Sequence, residues 1–125
     1  MIKFKQPITL LLGLMCLPVM AQTYKVQSPD GHITIEVNNA EKLTYSVAMD
    51  GKQLVAPSPM GFQFRGEEDM SGNFQVKNDA KVKSGVEAWT PVVRNKHAKC
   101  SVPYNELALE LQEKSDMYRR MDLTF

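Results

Sequence analysis

Apolar and polar residues alternate with a period of two along most of the chain after position 22. The clearest run is 33–37, where Ile33, Ile35 and Val37 alternate with Thr34 and Glu36. Further alternating runs begin at Leu43, at Leu107 and at Met121. Successive side chains of a β-strand point to opposite faces, so this period predicts half-buried strands. For the leucine run we prefer a strand over a helix, because its apolar residues recur at every second position.

Turn signals separate these runs. Ser28-Pro29-Asp30-Gly31 is typical of a tight turn, and Asp50-Gly51 is a strong hairpin signal that predicts an antiparallel return over 52–55. We expect Pro57-Ser58-Pro59 to end the sheet, because proline cannot donate a ladder hydrogen bond. Shorter strands are predicted at 23–27, 62–64, 74–76 and 82–86, and an irregular stretch is expected from Trp89 to Pro103.

About eight short strands with frequent turns predict an all-β protein, an antiparallel β-sandwich. The chain stops at Phe125 within an alternating run, so we expect the domain to be incomplete. The residues expected to face inward are Ile33, Ile35, Val37, Tyr45, Val47, Phe62, Phe64, Leu107, Leu109 and Leu111.

The first 21 residues have the pattern of a cleavable signal peptide. Two lysines precede an apolar run over 8–17, and cleavage is expected between Ala21 and Gln22. A lipoprotein signal ending at Cys16 is disfavoured because Met15 is too bulky for the preceding position. The apolar run is too short to span a membrane. The sequence therefore predicts a leader over 1–21, a domain over 22–125, and a periplasmic or secreted location.

Charge and cysteine content limit the function classes. The chain has 15 Lys+Arg and 14 Asp+Glu, and removal of the two leader lysines gives a net charge of about −1. Such a balance shows no basic footprint for nucleic acid or an anionic membrane. Cys16 leaves with the leader, so Cys100 has no partner for an internal disulfide.

No residue set commits the chain to catalysis or metal binding. His97-x-x-Cys100 is half a zinc site at best, and the acidic run 67–69 lacks a calcium-loop spacing. We therefore expect no catalytic residue, no metal ligand and no cofactor in this chain. Trp89 and Tyr104 are the candidates for sugar contact, by stacking on a ring, although a packing role is preferred for Trp89.

Several motifs resemble the N-terminal domain of glycoside hydrolase family 97, and their order and spacing extend over essentially all of 22–125. The motifs are Val26-Gln27-Ser28-Pro29-Asp30-Gly31, Leu43-Thr44-Tyr45-Ser46-Val47, Asp50-Gly51-Lys52, Pro57-Ser58-Pro59-Met60-Gly61-Phe62, Trp89-Thr90-Pro91-Val92, Tyr104-Asn105-Glu106-Leu107 and Arg119-Arg120.

This resemblance implies more than the residues themselves indicate. It implies an exported α-glucosidase or α-galactosidase, in which an N-terminal β-super-sandwich packs on a (β/α)₈ catalytic barrel of the same longer chain. It also implies a calcium ion in the active site of the full-length enzyme. No catalytic or calcium-binding residue of the family maps onto a position here, so the chain alone is expected to be inactive. The alternative is a stand-alone periplasmic β-sandwich that binds an oligosaccharide or another protein.

Overall fold

The computed structural model describes residues 21–93, 96 and 99–125. Within these residues, all regular secondary structure is β-strand. All strand pairs are antiparallel and form two sheets, which confirms the predicted all-β sandwich. The signal-peptide prediction lies almost entirely outside the described residues. The strands are β1 (Gln22–Gln27), β2 (Ile33–Asn39), β3 (Leu43–Met49), β4 (Lys52–Pro59), β5 (Phe74–Val76), β6 (Val82–Trp89), β7 (Cys100–Glu113) and β8 (Arg120–Thr124).

The first sheet is a meander with strand order β1-β2-β3-β4. Its β3–β4 hairpin turns at Asp50 and Gly51, whose φ angles are 49° and 77°. A two-residue type I′ turn needs positive φ at both positions, which aspartate tolerates and glycine adopts freely. The predicted Asp-Gly hairpin is therefore confirmed.

The second sheet is organised around the 14-residue strand β7. On one edge β7 pairs with β6 through its first half and with β5 at its end. On its other edge it pairs with β8, and Leu107 and Phe125 extend this pairing by exchanging two backbone hydrogen bonds of 3.0 Å. Asn78 fills the gap between β5 and β6, because its side chain bonds the Ala108 carbonyl at 2.7 Å and the Glu110 N–H at 3.1 Å. The backbone around Leu109 is thus held on both edges.

The core lies between the two sheets. Val37, Leu107, Leu109 and Leu111 are buried, as the alternation predicts. The remaining buried hydrophobic residues are Val26, Leu43, Met70, Phe74 and Met121. The predicted inward residues Ile35 and Tyr45 are half-buried and pack against this cluster.

The sandwich is closed at one end and open at the other. At the closed end, the Asn39 amide donates a 3.0 Å hydrogen bond to the Phe74 carbonyl, which joins β2 to β5. Towards the opposite end, the inner face of the first sheet becomes exposed. Ile33 and its cross-strand partner Met49 are each 41% exposed. Ile33 lies on the inner face, as predicted, but it is exposed because the described part of the second sheet does not cover that end.

The proline-rich segment does not end the sheet. β4 continues through Pro57 and Pro59, contrary to the prediction from sequence. Met60 donates its N–H to the Leu43 carbonyl at 2.9 Å, so the preceding Pro59 turns its nitrogen away from β3. Pro57 lies where the β3–β4 register shifts, between the Tyr45–Ser58 and Val47–Val55 pairs. β4 is an edge strand, and proline is tolerated where the missing N–H would face outward.

Phe62 and Phe64 do not form the predicted strand. Phe62 makes only an isolated bridge to Met70, and the two rings are 53% and 41% exposed, so the inward orientation predicted for them is wrong. Their ring centroids lie 6.3 Å apart on the surface of the 62–70 loop. The two aromatic residues have the spacing of a strand, but a strand needs a ladder of pairs, and here only the single Phe62–Met70 bridge forms.

Candidate functional site

The candidate site lies on a two-stranded ribbon formed by β6 and the first half of β7. The two strands pair continuously from Val82–Leu107 to Trp89–Cys100. The expectation of an irregular stretch from Trp89 to Pro103 is therefore wrong for Trp89 and for 100–103. Beyond the Val82–Leu107 pair the ribbon leaves the core, and most of its side chains are exposed.

One face of this ribbon points away from the sandwich. Leu107 faces the core, so residues at even positions of β7 and their paired residues of β6 lie on the opposite face. This outer face carries Lys83, Gly85, Glu87, Trp89, Cys100, Val102, Tyr104 and Glu106. Trp89 and Tyr104 thus share one face, four residues apart along the ladder, which corresponds to about 13 Å.

Both aromatic candidates are accessible. Trp89 is 48% exposed and Tyr104 is 42% exposed. The indole lies at the end of the ribbon and outside the core cluster, and the packing role preferred for Trp89 stays a prediction. Contact with a sugar by either ring stays a prediction.

Gly85 fixes how Tyr104 lies on the ribbon. The two residues are directly paired across the strands. A Cβ at position 85 would stand 2.6 Å from the Tyr104 hydroxyl oxygen and 2.7 Å from Cζ of the ring. The phenol ring therefore crosses over the glycine, where only a hydrogen leaves room for it. This contact holds the ring along the outer face.

Open depressions adjoin both rings. One of about 390 Å³ is lined by Trp89, Cys100 and Val102 together with their neighbours Lys99 and Ser101. Another of about 410 Å³ is lined by Val86, Glu87, Tyr104 and Glu106. Hydrolysis of a glycoside needs two carboxyl groups placed across the scissile bond, and sites of this kind are concave and mostly enclosed. The ribbon instead offers a shallow surface suited to contact.

The donor groups do not fit a metal ion. Among the described residues, no group of three or more His, Cys, Asp and Glu side chains could hold one. Cys100 is a half-buried free thiol at the start of β7, and His97 lies outside the described residues. The calcium that the family resemblance implies therefore finds no ligand set in the described part of the chain.

A second polar cluster is structural in character. Arg119 donates from Nε and Nη2 to the two carboxylate oxygens of Glu113 at 2.8 and 2.9 Å. Its Nη1 donates to the Glu68 carbonyl at 2.8 Å, and its guanidinium lies 5.1 Å from the Phe64 ring centroid. The hydrogen bond from Arg119 holds the pKa of Glu113 below its usual value, against the opposing effect of burial. This arginine fastens the acidic 67–69 loop to the end of β7.

The sequence of the ribbon also has a period of two, over residues 100–104. Cys100, Val102 and Tyr104 alternate with Ser101 and Pro103 in the stretch judged irregular. The proline and the polar neighbours hid that period of two. Val102 and Glu87 were therefore missed as members of the outer face.

The family comparison covers both sheets and the ribbon. The model described as Glycosyl-hydrolase 97 N-terminal matches residues 26–125. The chain belongs to this family. The family resemblance expected from the motifs is thereby confirmed, and the match includes Trp89, Tyr104 and the Glu113–Arg119 pair.

Solved structures show the same fold within larger proteins. Three structures of a Glycoside Hydrolase Family 97 enzyme from Pseudoalteromonas sp. strain K8 match with a TM-score of 0.69 and 22% identity: a variant, a complex with acarbose and a complex with panose. Each match covers 81% of this chain and 15% of the enzyme chain. A search of curated proteins gave no match. Among the described residues, no helix has the length and apolar character needed to cross a membrane.

Proposed function

We propose that the chain is the N-terminal accessory domain of an exported α-glycosidase, and that its partner is a (β/α)₈ catalytic barrel in the same longer chain. The observation that carries this is the family match over 26–125 combined with the 15% share of the similar enzyme chains. A domain that makes up so small a part of the enzyme supplies a surface on which the catalytic domain packs. Catalysis is carried out by the barrel.

The exposed ribbon supports this assignment. Val86 and Val102 add apolar surface on its two faces, at 66% and 48% exposure, beside the two aromatic rings. On the outer face, Val102 joins Trp89 and Tyr104, and exposed apolar side chains grouped on one face are typical of an interface. Export follows from the leader predicted over 1–21, and it puts the enzyme where extracellular or periplasmic oligosaccharides are available.

The reading frame downstream of the Phe125 codon tests the proposal. We expect it to continue in the same frame and to encode a (β/α)₈ barrel. A continuing frame that encodes no barrel would contradict the assignment. The purified chain itself should release no p-nitrophenol from p-nitrophenyl α-glucoside or α-galactoside, with or without calcium. Calcium-dependent turnover by the purified chain would refute the assignment of catalysis to the barrel alone.

A carbohydrate-binding module is the second candidate, because Trp89 and Tyr104 are exposed on one face of the ribbon. Two stacking rings supply few kcal/mol against the cost of association, so we expect only millimolar binding. Calorimetric titration with malto-oligosaccharides separates the candidates. Micromolar binding that Trp89→Ala abolishes and Phe62→Ala preserves would favour the binding module, since Phe62 is an exposed ring outside the ribbon.

A further inference from the structure

Among the residues that the structure describes, one edge of β7 has no partner strand along the ribbon. β8 and Phe125 pair with β7 from Gln112 to Leu107. From Glu106 to Cys100 only the β6 edge is paired among the described residues. Backbone groups alternate between the two edges of a strand. Leu107 bonds on the β8 side, so Ser101, Pro103 and Asn105 turn their backbone groups to the open edge.

The open edge runs beside the uncovered part of the first sheet. The Asn105 amide donates to the Gln27 carbonyl at 2.7 Å, which places this part of β7 at the end of β1. Gln27 pairs with Thr34, next to the exposed Ile33. The unpaired backbone and the uncovered apolar side chains therefore lie at the same end of the sandwich.

We propose that this edge of β7 receives an additional antiparallel β-strand from the rest of the glycosidase chain. The strand lies end to end with β8, runs in the same direction, and covers Ile33 and Met49. The inference rests on the proposed function, because it takes the strand from the longer enzyme. The added strand would pair with the free backbone groups of β7 and would cover the exposed part of the inner face.

The register of β8 defines what the strand must look like. Leu123 pairs with Leu109 and Phe125 with Leu107, and these side chains face the core. Continuing that ladder places the core-facing residues of the new strand opposite Asn105, Pro103 and Ser101. Apolar residues are needed at those positions, because they lie above the first sheet.

Pro103 argues against a second copy as the occupant. It is at the centre of the open edge and has no N–H to donate. An antiparallel self-pairing centred there would set two prolines opposite each other and lose both central donors. A different strand can still donate its own N–H to the Pro103 carbonyl. The edge is therefore protected against its own copy and remains able to pair with a suited segment.

A seven-residue extension after Phe125 tests the site. The first version has valine at its second, fourth and sixth positions and threonine elsewhere. The control has valine at its first, third and fifth positions, so its composition is identical and its faces are exchanged. We expect the first version to slow hydrogen exchange of the Ser101 and Asn105 amides about tenfold or more, and the control about twofold or less.

Each outcome decides the proposal. Fast exchange at both amides in both extended chains, with native circular dichroism, would overturn it. Equal protection by the two versions would show pairing without coverage of the first sheet, and would also overturn it. A dimeric unextended chain with protected edge amides would assign the edge to a second copy. If the extension protects neither amide but a barrel is encoded downstream, the strand site is overturned and the proposed function stands. If the extension protects both amides but no barrel is encoded, the strand site stands and the glycosidase chain is overturned as the source of the strand.

Discussion

Leu109→Ala is the most direct test of the core. Leu109 is 1% exposed and is the middle of three buried leucines on β7. The substitution removes three carbon atoms, which corresponds to about 2.4 kcal/mol of transfer free energy. A cavity contribution adds to this when the surroundings cannot collapse. Here β8 holds one edge of β7 through the Leu109–Leu123 pair, and Asn78 holds the other. We therefore expect a total loss of about 3–4 kcal/mol.

Urea unfolding followed by far-ultraviolet circular dichroism measures this loss. The single tryptophan is a poor probe, because it lies on the exposed ribbon. With a denaturant slope of about 1–3 kcal/mol per molar, the midpoint should fall by roughly 1–4 M. Leu54→Ala on the edge strand β4 is the matched control, and we expect it to cost about 0.5 kcal/mol or less. Equal losses in the two variants would refute the assignment of the core face.

Three further predictions follow from the pairs described above. Because the pKa of Glu113 in the folded chain is below its ordinary value of 4.5, the ionised carboxylate stabilises the fold above pH 4.5. That contribution is lost as the pH falls through the folded-state pKa. Glu113→Gln should therefore flatten the acid side of a plot of urea midpoint against pH. An unchanged acid limb would contradict this. Gly85→Ala should displace the Tyr104 ring, visible as shifted ring-proton resonances. Gly66→Ala, in the 62–70 loop, is the control, because no residue other than its chain neighbours lies within 4 Å of the added Cβ, and it should leave those resonances in place. N-terminal sequencing of the exported protein should begin at Gln22; a retained Met1 or an acylated Cys16 would rule out the proposed cleavage.

Local sequence signals predicted the first sheet well because they act over a few residues. Asp50-Gly51 determines a turn by backbone conformation, and the alternation in β2 and β3 determines which face is buried. Burial along each strand was less predictable. Val37 and Ile33 carry equally good signals, yet one is buried and the other exposed. The difference depends on how far the second sheet reaches, which is a long-range property.

The ribbon and the proline segment show a different limit. Proline predicts a break at Pro57 and Pro59 and weakens the strand signal at Pro103, yet all three residues lie within strands. Pro59 and Pro103 occupy a strand edge where the missing donor faces away from the paired strand, and Pro57 lies at a register shift. Edge position depends on sheet order, and sheet order is set by pairing between distant segments. The site residues Trp89 and Tyr104 could therefore be nominated from sequence, but not placed on a common face.

Among the described residues, exposed side chains of the inner face and an unpaired strand edge lie together towards one end of the sandwich. At the closed end, Asn39 joins the sheets, and Arg119 ties the acidic loop to Glu113. At the opposite end, Ile33 is exposed and the edge of β7 is unpaired around Pro103. A self-sufficient sandwich would cover its inner face along its whole length, because that surface stabilises the fold only when water is excluded from it. In the described part of the chain, the hydrogen bond from Asn39 therefore stabilises the contact between the sheets at the closed end, whereas Ile33 and Met49 at the opposite end stay in contact with water and contribute less to stability.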